Sequence, residues 1–309
     1  MWKHQALPFA CPTHKAALND GLMCPVCKKT YPLLNGIPIL LNDAASVFRI
    51  SDYLAHEEYG GASSYAGHLD RRKGLRQVYR RLVFRLSEVD PPRKDFGLDD
   101  AIDHILLVLP DACILVIGAG DSEVKGNVIY TDVAFGKNVH CIADAHDLPF
   151  VDESFDACVA VAVLEHVADP YRCVEEMRRV LRPGGFVYAE TPFMQPVHMG
   201  AYDFTRFTYL GHRRLLRHFH EIKSGVTGGP GVSAAQILRY AIASISDRPA
   251  LRKWLKLTGL LLTYPIRWVD YISYKNRGAY DSASGFYFLG RLAQEPISDR
   301  DLLSQFRGS

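Results

Sequence analysis

An open α/β sheet preceded by a small cysteine-bearing β module is the fold class this sequence predicts, and three observations predict it. From residue 113 onward, short apolar runs of β-formers recur and end in glycine or an acid, at 113–118, 127–132 and 139–144. Runs that are apolar throughout, instead of alternating, suit parallel strands covered on both faces. A segment with clear helix signals follows the next such run: Asp169-Pro170 at its start and Pro183-Gly184-Gly185 at its end. Finally, the first 41 residues hold two ligand-type pairs, Cys11-x2-His14 and Cys24-x2-Cys27, among few large apolar side chains.

Composition sets outer bounds. Of 309 residues, 48% are hydrophobic and 23% charged, which excludes a wholly disordered chain. Lys+Arg is 36 and Asp+Glu 34, so a net charge of +2 gives no support to bulk nucleic-acid binding. No apolar run of about 18 residues occurs, so no membrane span is expected. The start lacks the apolar core of a secretory leader. Three of the seven cysteines crowd into the first 27 residues and four stand singly. That is not a disulfide framework, and a reducing, cytoplasmic setting is expected.

In the module (residues 1–42), each Cys/His pair spans a tight turn. Two such pairs suit the tetrahedral N/S geometry of structural zinc at Cys11, His14, Cys24 and Cys27. Residues 30–32 and 35–39 read as short strands around a turn. So few apolar residues need a staple, and a metal supplies one. The alternatives are an incidental cysteine pair or a C-x2-C redox pair, though no redox-type βαβ pattern surrounds it. With Tyr31-Pro32 and Asn35-Gly36-Ile37-Pro38, the segment resembles the zinc-ribbon domain that activates several tRNA and protein methyltransferases.

Residues 43–110 read as a mainly helical linking region. Leu75, Val78, Tyr79, Leu82 and Leu86 fall at helical spacing, and Arg71, Arg72, Lys73, Arg76, Arg80, Arg81 and Arg85 make the stretch basic. It reads as a solvated face or as a surface for an anionic partner. Residues 91–94 break it, and 99–109 form a second helix.

The core begins at 113. Its first strand ends in Gly118-Ala119-Gly120, where the backbone can approach a ligand. Strands at 127–132 and 139–144 follow, ending in Asp132 and Asp144. An acid at the second strand tip can accept from ribose hydroxyls. Then come Leu148-Pro149-Phe150, a fourth strand at 157–167, the helix after Asp169 and a strand at 186–190. A dinucleotide site fits poorly. Glu123 stands where the third glycine of G-x-G-x-x-G belongs, and Gly118 to Asp132 is shorter than the roughly 20 residues of that fingerprint.

The run VIGAG, Asp132, ADAHDLPF, ESFDACVAVAVLEHVADP and EEMRRVLRPGGFVYAETP resembles a class I SAM-dependent methyltransferase, over about a third of the chain. The resemblance implies a Rossmann-like seven-stranded methyltransferase sheet and S-adenosyl-L-methionine (SAM) as cofactor. It implies Gly118 and Gly120 at the methionine end, Asp132 at the ribose, and Asp144 with Ala145 at the adenine. Leu164 and Glu165 would floor the pocket. Two departures stand out. Only residues 121–126 separate the glycines from the second strand, so the first crossover helix is stunted or displaced. The loop also lacks a third glycine.

Residues 191–208 leave a strand's carboxyl end, where open α/β sheets bind ligands. They resemble a segment of methyltransferases linked with polysaccharide biosynthesis. His198 is the candidate general base, Asp203 its orienter and Arg206 a grip for an acidic substrate group. The alternative has Asp203 and Arg206 as an ion pair pinning the loop. His166 is the second base candidate.

Residues 221–226 read as a sixth strand, 233–245 as a helix, and 284–290 as a last, antiparallel strand. Residues 251–271 are amphipathic, and Pro265 interrupts them. The insertion 232–278 reads as a lid, a homodimer surface or a peripheral membrane element. The expected division is 1–42, 43–110, a transferase domain at 111–294 and a loose tail at 295–309. The expected reaction is methyl transfer to an O or N nucleophile of a saccharide or small metabolite. Methylation of RNA or protein through the zinc module, or a SAM-binding scaffold without catalysis, are the alternatives.

Overall fold

A computed structural model describes residues 7–55, 95–120 and 122–309. The basic stretch at 71–86 and the break at 91–94 lie outside them.

Nine strands form one sheet among the described residues. In chain order they are β1 (Leu33–Leu34), β2 (Ile37–Leu40), β3 (Cys113–Ile117), β4 (Asn127–Asp132), β5 (Cys141–Ala143), β6 (Phe155–Val161), β7 (Leu181–Pro192), β8 (Phe219–Gly228) and β9 (Gly285–Leu292). Their order across the sheet is β1-β2-β5-β4-β3-β6-β7-β9-β8. The stretch from β2 to β7 is parallel, while β9 runs antiparallel to both β7 and β8. This is the expected Rossmann-like arrangement. Every residue of β3 is buried, as an all-apolar strand demands.

The expected short first crossover is present. Residues 118–126 join β3 to β4 with no helix among those described. Side chains brace the loop in place of helical bonds. The Tyr130 hydroxyl accepts from Val124 N at 2.7 Å and donates to Val124 O at 3.2 Å. Helix α1 (Ile50–Ala55) follows the module, and α2 (Leu98–Val108) precedes β3. After β6, α3 (Pro170–Val180) starts as its signals require: Asp169 accepts from Arg172 N at 3.1 Å and Pro170 opens the first turn. The helix stops at Val180 and β7 begins at once, ahead of the glycines.

The module is not an appendage on the sheet. β2 pairs in parallel with β5, Ile39 opposite Ile142 and Leu40 opposite Ala143. Its carboxyl end therefore lies on the same sheet edge as the tips of β4 and β5.

Helix α4 (Tyr209–Leu215) leads into β8, and the insertion leaves β8 at that carboxyl edge as α5 (Pro230–Ala243) and α6 (Pro249–Thr263). Buried Asp270 closes the start of α5 by accepting from Gly229, Gly231 and Val232 N–H groups at 3.1, 2.6 and 3.3 Å. Those are donors a helix leaves orphaned. A Cβ at Gly229 would stand 2.5 Å from Asp270 Oδ1, so this close approach requires glycine. Short helices α7 (Asp270–Ser273) and α8 (Ala279–Ser282) complete the insertion.

The tail corrects the expectation of looseness. Ser298 caps α9 (Asp299–Ser304), Leu302 is buried, and Arg307 binds Glu221 and the Ser224 carbonyl. One buried leucine and ion pairs to Glu221, Arg214 and Arg217 leave no pattern in the local sequence, which is why polar composition alone misread it.

Candidate functional site

Neighbouring parallel strands end side by side, so the acids at their tips meet. Asp132 ends β4 and Asp144 follows β5, and both line one cavity of 220 Å³ with Gly118, Gly120 and Ala145. Gly118 (φ +65°) and Gly120 (φ +51°) adopt the left-handed backbone that glycine permits. A Cβ on Gly118 would strike Val163 at 2.4 Å, whereas one on Gly120 would meet nothing within 4 Å. The expected floor residues Leu164 and Glu165 are buried and do not reach the cavity wall, while Val163 and His166 do.

Asp132 accepts from Gly120 N at 2.8 Å and Ala134 N at 2.9 Å. Burial raises its pKa, and the backbone donors only partly offset this. Its remaining lone pairs make it an acceptor toward the cavity. Asp144 is more fully used. It accepts from Ser46 Oγ, from His146 N at 3.0 Å and from His146 Nδ1 at 2.6 Å. His146 Nε2 itself accepts from Asp169 N, which leaves the imidazole proton on Nδ1. Burial opposes ionisation of Asp144, but the bonds from His146 and Ser46 hold its pKa below the ordinary value.

Ser46, Val47 and Phe48 were missed by the sequence reading. Val47 and Phe48 line the cavity, and Phe48 stacks on Tyr202 with centroids 5.7 Å apart. They follow directly from β2. The usable signal was the apolar run 37–41, because ligands gather beyond the carboxyl ends of parallel strands.

The loop after β7 folds over the end of β6. Phe204 N and Thr205 N both donate to the Glu165 carbonyl, at 2.8 and 3.2 Å. Arg206 is consumed within the loop: it pairs with Asp203 through two nitrogens and donates to the Gln195, Pro196 and Thr205 carbonyls. That geometry matches the loop-pinning ion pair and leaves Arg206 little to offer an acidic substrate. Burial would raise the Asp203 carboxyl, but Arg206 and the His198 N–H pull it down to about 2. His198 Nε2 meets His166 Nε2 at 3.0 Å. Burial lowers both imidazoles, which favours their neutral forms. Beneath them Glu165 is 1% exposed, and burial pushes its pKa up to about 8.

The module gathers its four ligand-type residues too. The Sγ atoms of Cys11, Cys24 and Cys27 and a His14 ring nitrogen all lie within 4.8 Å of one another. Zinc with bonds of about 2.0–2.3 Å needs ligand separations of roughly 3.4–3.8 Å, a small contraction of this set. The two halves are built alike. Lys15 N donates to Cys11 O and Lys28 N to Cys24 O, with both lysines at positive φ. The Tyr31 hydroxyl lies 3.2 Å from Cys11 Sγ as an outer partner. Burial acts against the Cys11 thiolate, yet bonds from Tyr31 and His14 bring that thiol down to about 6.

A family model described as a methyltransferase domain matches residues 127–189. An uncharacterized methyltransferase of Mycolicibacterium vanbaalenii is 35% identical over 39% of this chain and 46% of its own length. A demethylmenaquinone methyltransferase of Paenarthrobacter aurescens is 33% identical over 51% of this chain and 53% of its own. The chain thus spans about half the length of these curated relatives. Among solved structures, the Burkholderia thailandensis 1,6-didemethyltoxoflavin N1-methyltransferase with S-adenosylhomocysteine is 14% identical, with a TM-score of 0.41. The match covers 83% of this chain and 96% of that one. Strand order and cleft are those of a Rossmann-like α/β sheet, and the methyltransferase-domain match at residues 127–189 lies within it.

Proposed function

We propose that this chain moves a methyl group from SAM to an oxygen or nitrogen nucleophile of a saccharide or related small metabolite. One observation carries the reading: Asp132, Asp144 and the Gly118–Gly120 bend share a single cavity at the carboxyl edge. The residues fit the cofactor. Asp132 retains acceptor capacity for ribose hydroxyls, Gly120 leaves open space, and Phe48 and Val163 offer apolar walls. Asp144 has only its last lone pair for an adenine amino group, and Ser46 ties the roof to it. Bound SAM supplies an electrophilic methyl on a sulfonium. The protein aligns the acceptor and takes its proton. His198 is the proposed base. Asp203, pinned by Arg206 and accepting from His198 N at 2.9 Å, positions it. The Cys11, His14, Cys24 and Cys27 set would hold a structural zinc.

Calorimetry with SAM and S-adenosylhomocysteine is expected to show micromolar binding; no binding at high micromolar concentration removes the reading. His198→Ala is expected to leave SAM affinity within about twofold and lower turnover about a hundredfold. Unchanged turnover would discard His198 as base.

The insertion favours an acceptor delivered at a lipid surface. On α6, Leu251, Trp254, Leu261 and Leu262 recur along the face opposite buried Gly259, Leu260 and Thr263, and Trp254 is 67% exposed. Arg248, Arg252 and Lys253 are exposed at the start of the same helix and add the basic charge that anionic membranes attract, while Lys256 packs over the Tyr240 ring. The protein should therefore cosediment with phosphatidylglycerol vesicles and not with phosphatidylcholine ones, and Trp254→Ser with Leu261→Ser should abolish it. A stable dimer by light scattering, with no vesicle binding, would replace the membrane with a second copy.

A further inference from the structure

Glu165 poses a question that cofactor binding does not answer. It is 1% exposed, and neither carboxyl oxygen has a hydrogen-bond partner among the described residues. A buried carboxyl without donors is costly and calls for a missing partner. What it faces is two imidazoles: its Oε1 lies 3.7 Å from His166 Nε2 and 4.0 Å from His198 Nε2. The two Nε2 atoms are 3.0 Å apart.

The tautomers can be reasoned out. His166 Nδ1 lies 2.8 Å from the Tyr202 carbonyl, which can only accept, so the proton sits on Nδ1 and the Nε2 lone pair points into the cluster. His198 Nδ1 has two acceptors at 3.4 Å, Asp203 Oδ2 and the Pro196 carbonyl. The nearby Arg206 Nη2, 3.5 Å away, is turned to Asp203 at 2.7 Å. The same tautomer is thus favoured for His198. Two nitrogen lone pairs then converge beside the Glu165 carboxyl, with neither imidazole placing a proton between them.

We propose that Glu165, His166 and His198 form a divalent-cation site at the mouth of the cleft, taking a first-row transition metal such as Mn2+, Fe2+ or Zn2+. Two imidazoles and one carboxylate suit such ions and leave positions open. Two metal–nitrogen bonds of about 2.1 Å at a right angle put the nitrogens about 3.0 Å apart, the separation seen. The carboxyl needs to move by roughly 1 Å to complete the set. A backbone carbonyl holding the far nitrogen, as Tyr202 does for His166, is the usual outer partner of a metal-binding histidine. The open positions rest on the methyl-transfer reading. There the cation would bind the acceptor's oxygen or nitrogen and lower its pKa, so that its proton passes to solvent before the methyl arrives, and His198 would serve as a ligand where the metal-free reading above makes it the base.

The test uses the full chain with its cysteine cluster already zinc-saturated, titrated with Mn2+ and read by electron paramagnetic resonance. One saturable Mn2+ per chain is expected. Affinity should fall at least about tenfold in Glu165→Gln and in His198→Ala, and stay within twofold in the exposed Glu175→Gln. No saturable binding, or binding that ignores both substitutions, would overturn the site. In that case the imidazoles share a plain hydrogen bond over a protonated Glu165. SAM calorimetry on the same samples reports folding and separates the two proposals. SAM binding without Mn2+ binding sinks the metal site alone. Absence of SAM binding sinks the methyl-transfer reading, whatever Mn2+ does. Should Glu165→Gln fail to fold, His198→Ala on its exposed loop decides the outcome.

Discussion

Asp132→Ala is expected to weaken SAM binding by ten- to a hundredfold. Hydrogen bonds to a charged group contribute about 1.5–3 kcal/mol, and each 1.4 kcal/mol is about tenfold in affinity. Asp132 already holds Gly120 N and Ala134 N, so the alanine variant also loosens the glycine bend that shapes the cofactor's other end. Asp132→Asn keeps one acceptor oxygen and should fall between the two. Isothermal calorimetry on variants with native-like melting is the measurement. Affinity equal to that of the parent in both variants would remove Asp132 from the site.

Cys24→Ser is the second large effect. Zinc held by three cysteines and a histidine contributes folding free energy outright, and a module this poor in apolar side chains has little else. The described module is stitched to the domain by β2 pairing and by Lys15, which reaches Glu176 at 2.7 Å. Its loss should therefore be felt far away. We expect the bound zinc to drop from about one per chain, and the melting midpoint to fall by at least about 6 °C, for a loss of roughly 3 kcal/mol. Amides of Ile39 and Leu40 should lose hydrogen-exchange protection, and SAM affinity should weaken as Ser46 leaves Asp144. Metal analysis and calorimetry read this directly. A zinc content near zero in the parent, with no change in midpoint in the variant, would remove the metal.

Much of this was legible before any coordinates. The strands at 127–132 and 139–144 announce themselves because parallel, doubly covered strands must be apolar throughout, and the run 284–290 stands out as the antiparallel last strand. The start of α3 was legible because a capping Asp169 and a Pro170 act locally. Helix α2 matched its periodic pattern within a residue. The nearness of Asp132 to Asp144 followed from strand order alone. The four ligands of the module could be grouped because each pair is a local turn.

What escaped was set by contacts far apart in sequence. Nothing local says that β2 would pair with β5, and that pairing carries Ser46 and Phe48 onto the cleft. Nor does any short-range pattern set Glu165 beneath two histidines from different loops.

The amino-acid order by itself determined the strand and helix types, the acidic strand tips and the paired Cys/His turns of the module, because each depends on neighbours a few residues away. The roof of the cleft, the anchored tail and the Glu165–His166–His198 cluster were decided only by the tertiary structure. Burial and long-range hydrogen bonding choose partners that periodicity cannot name.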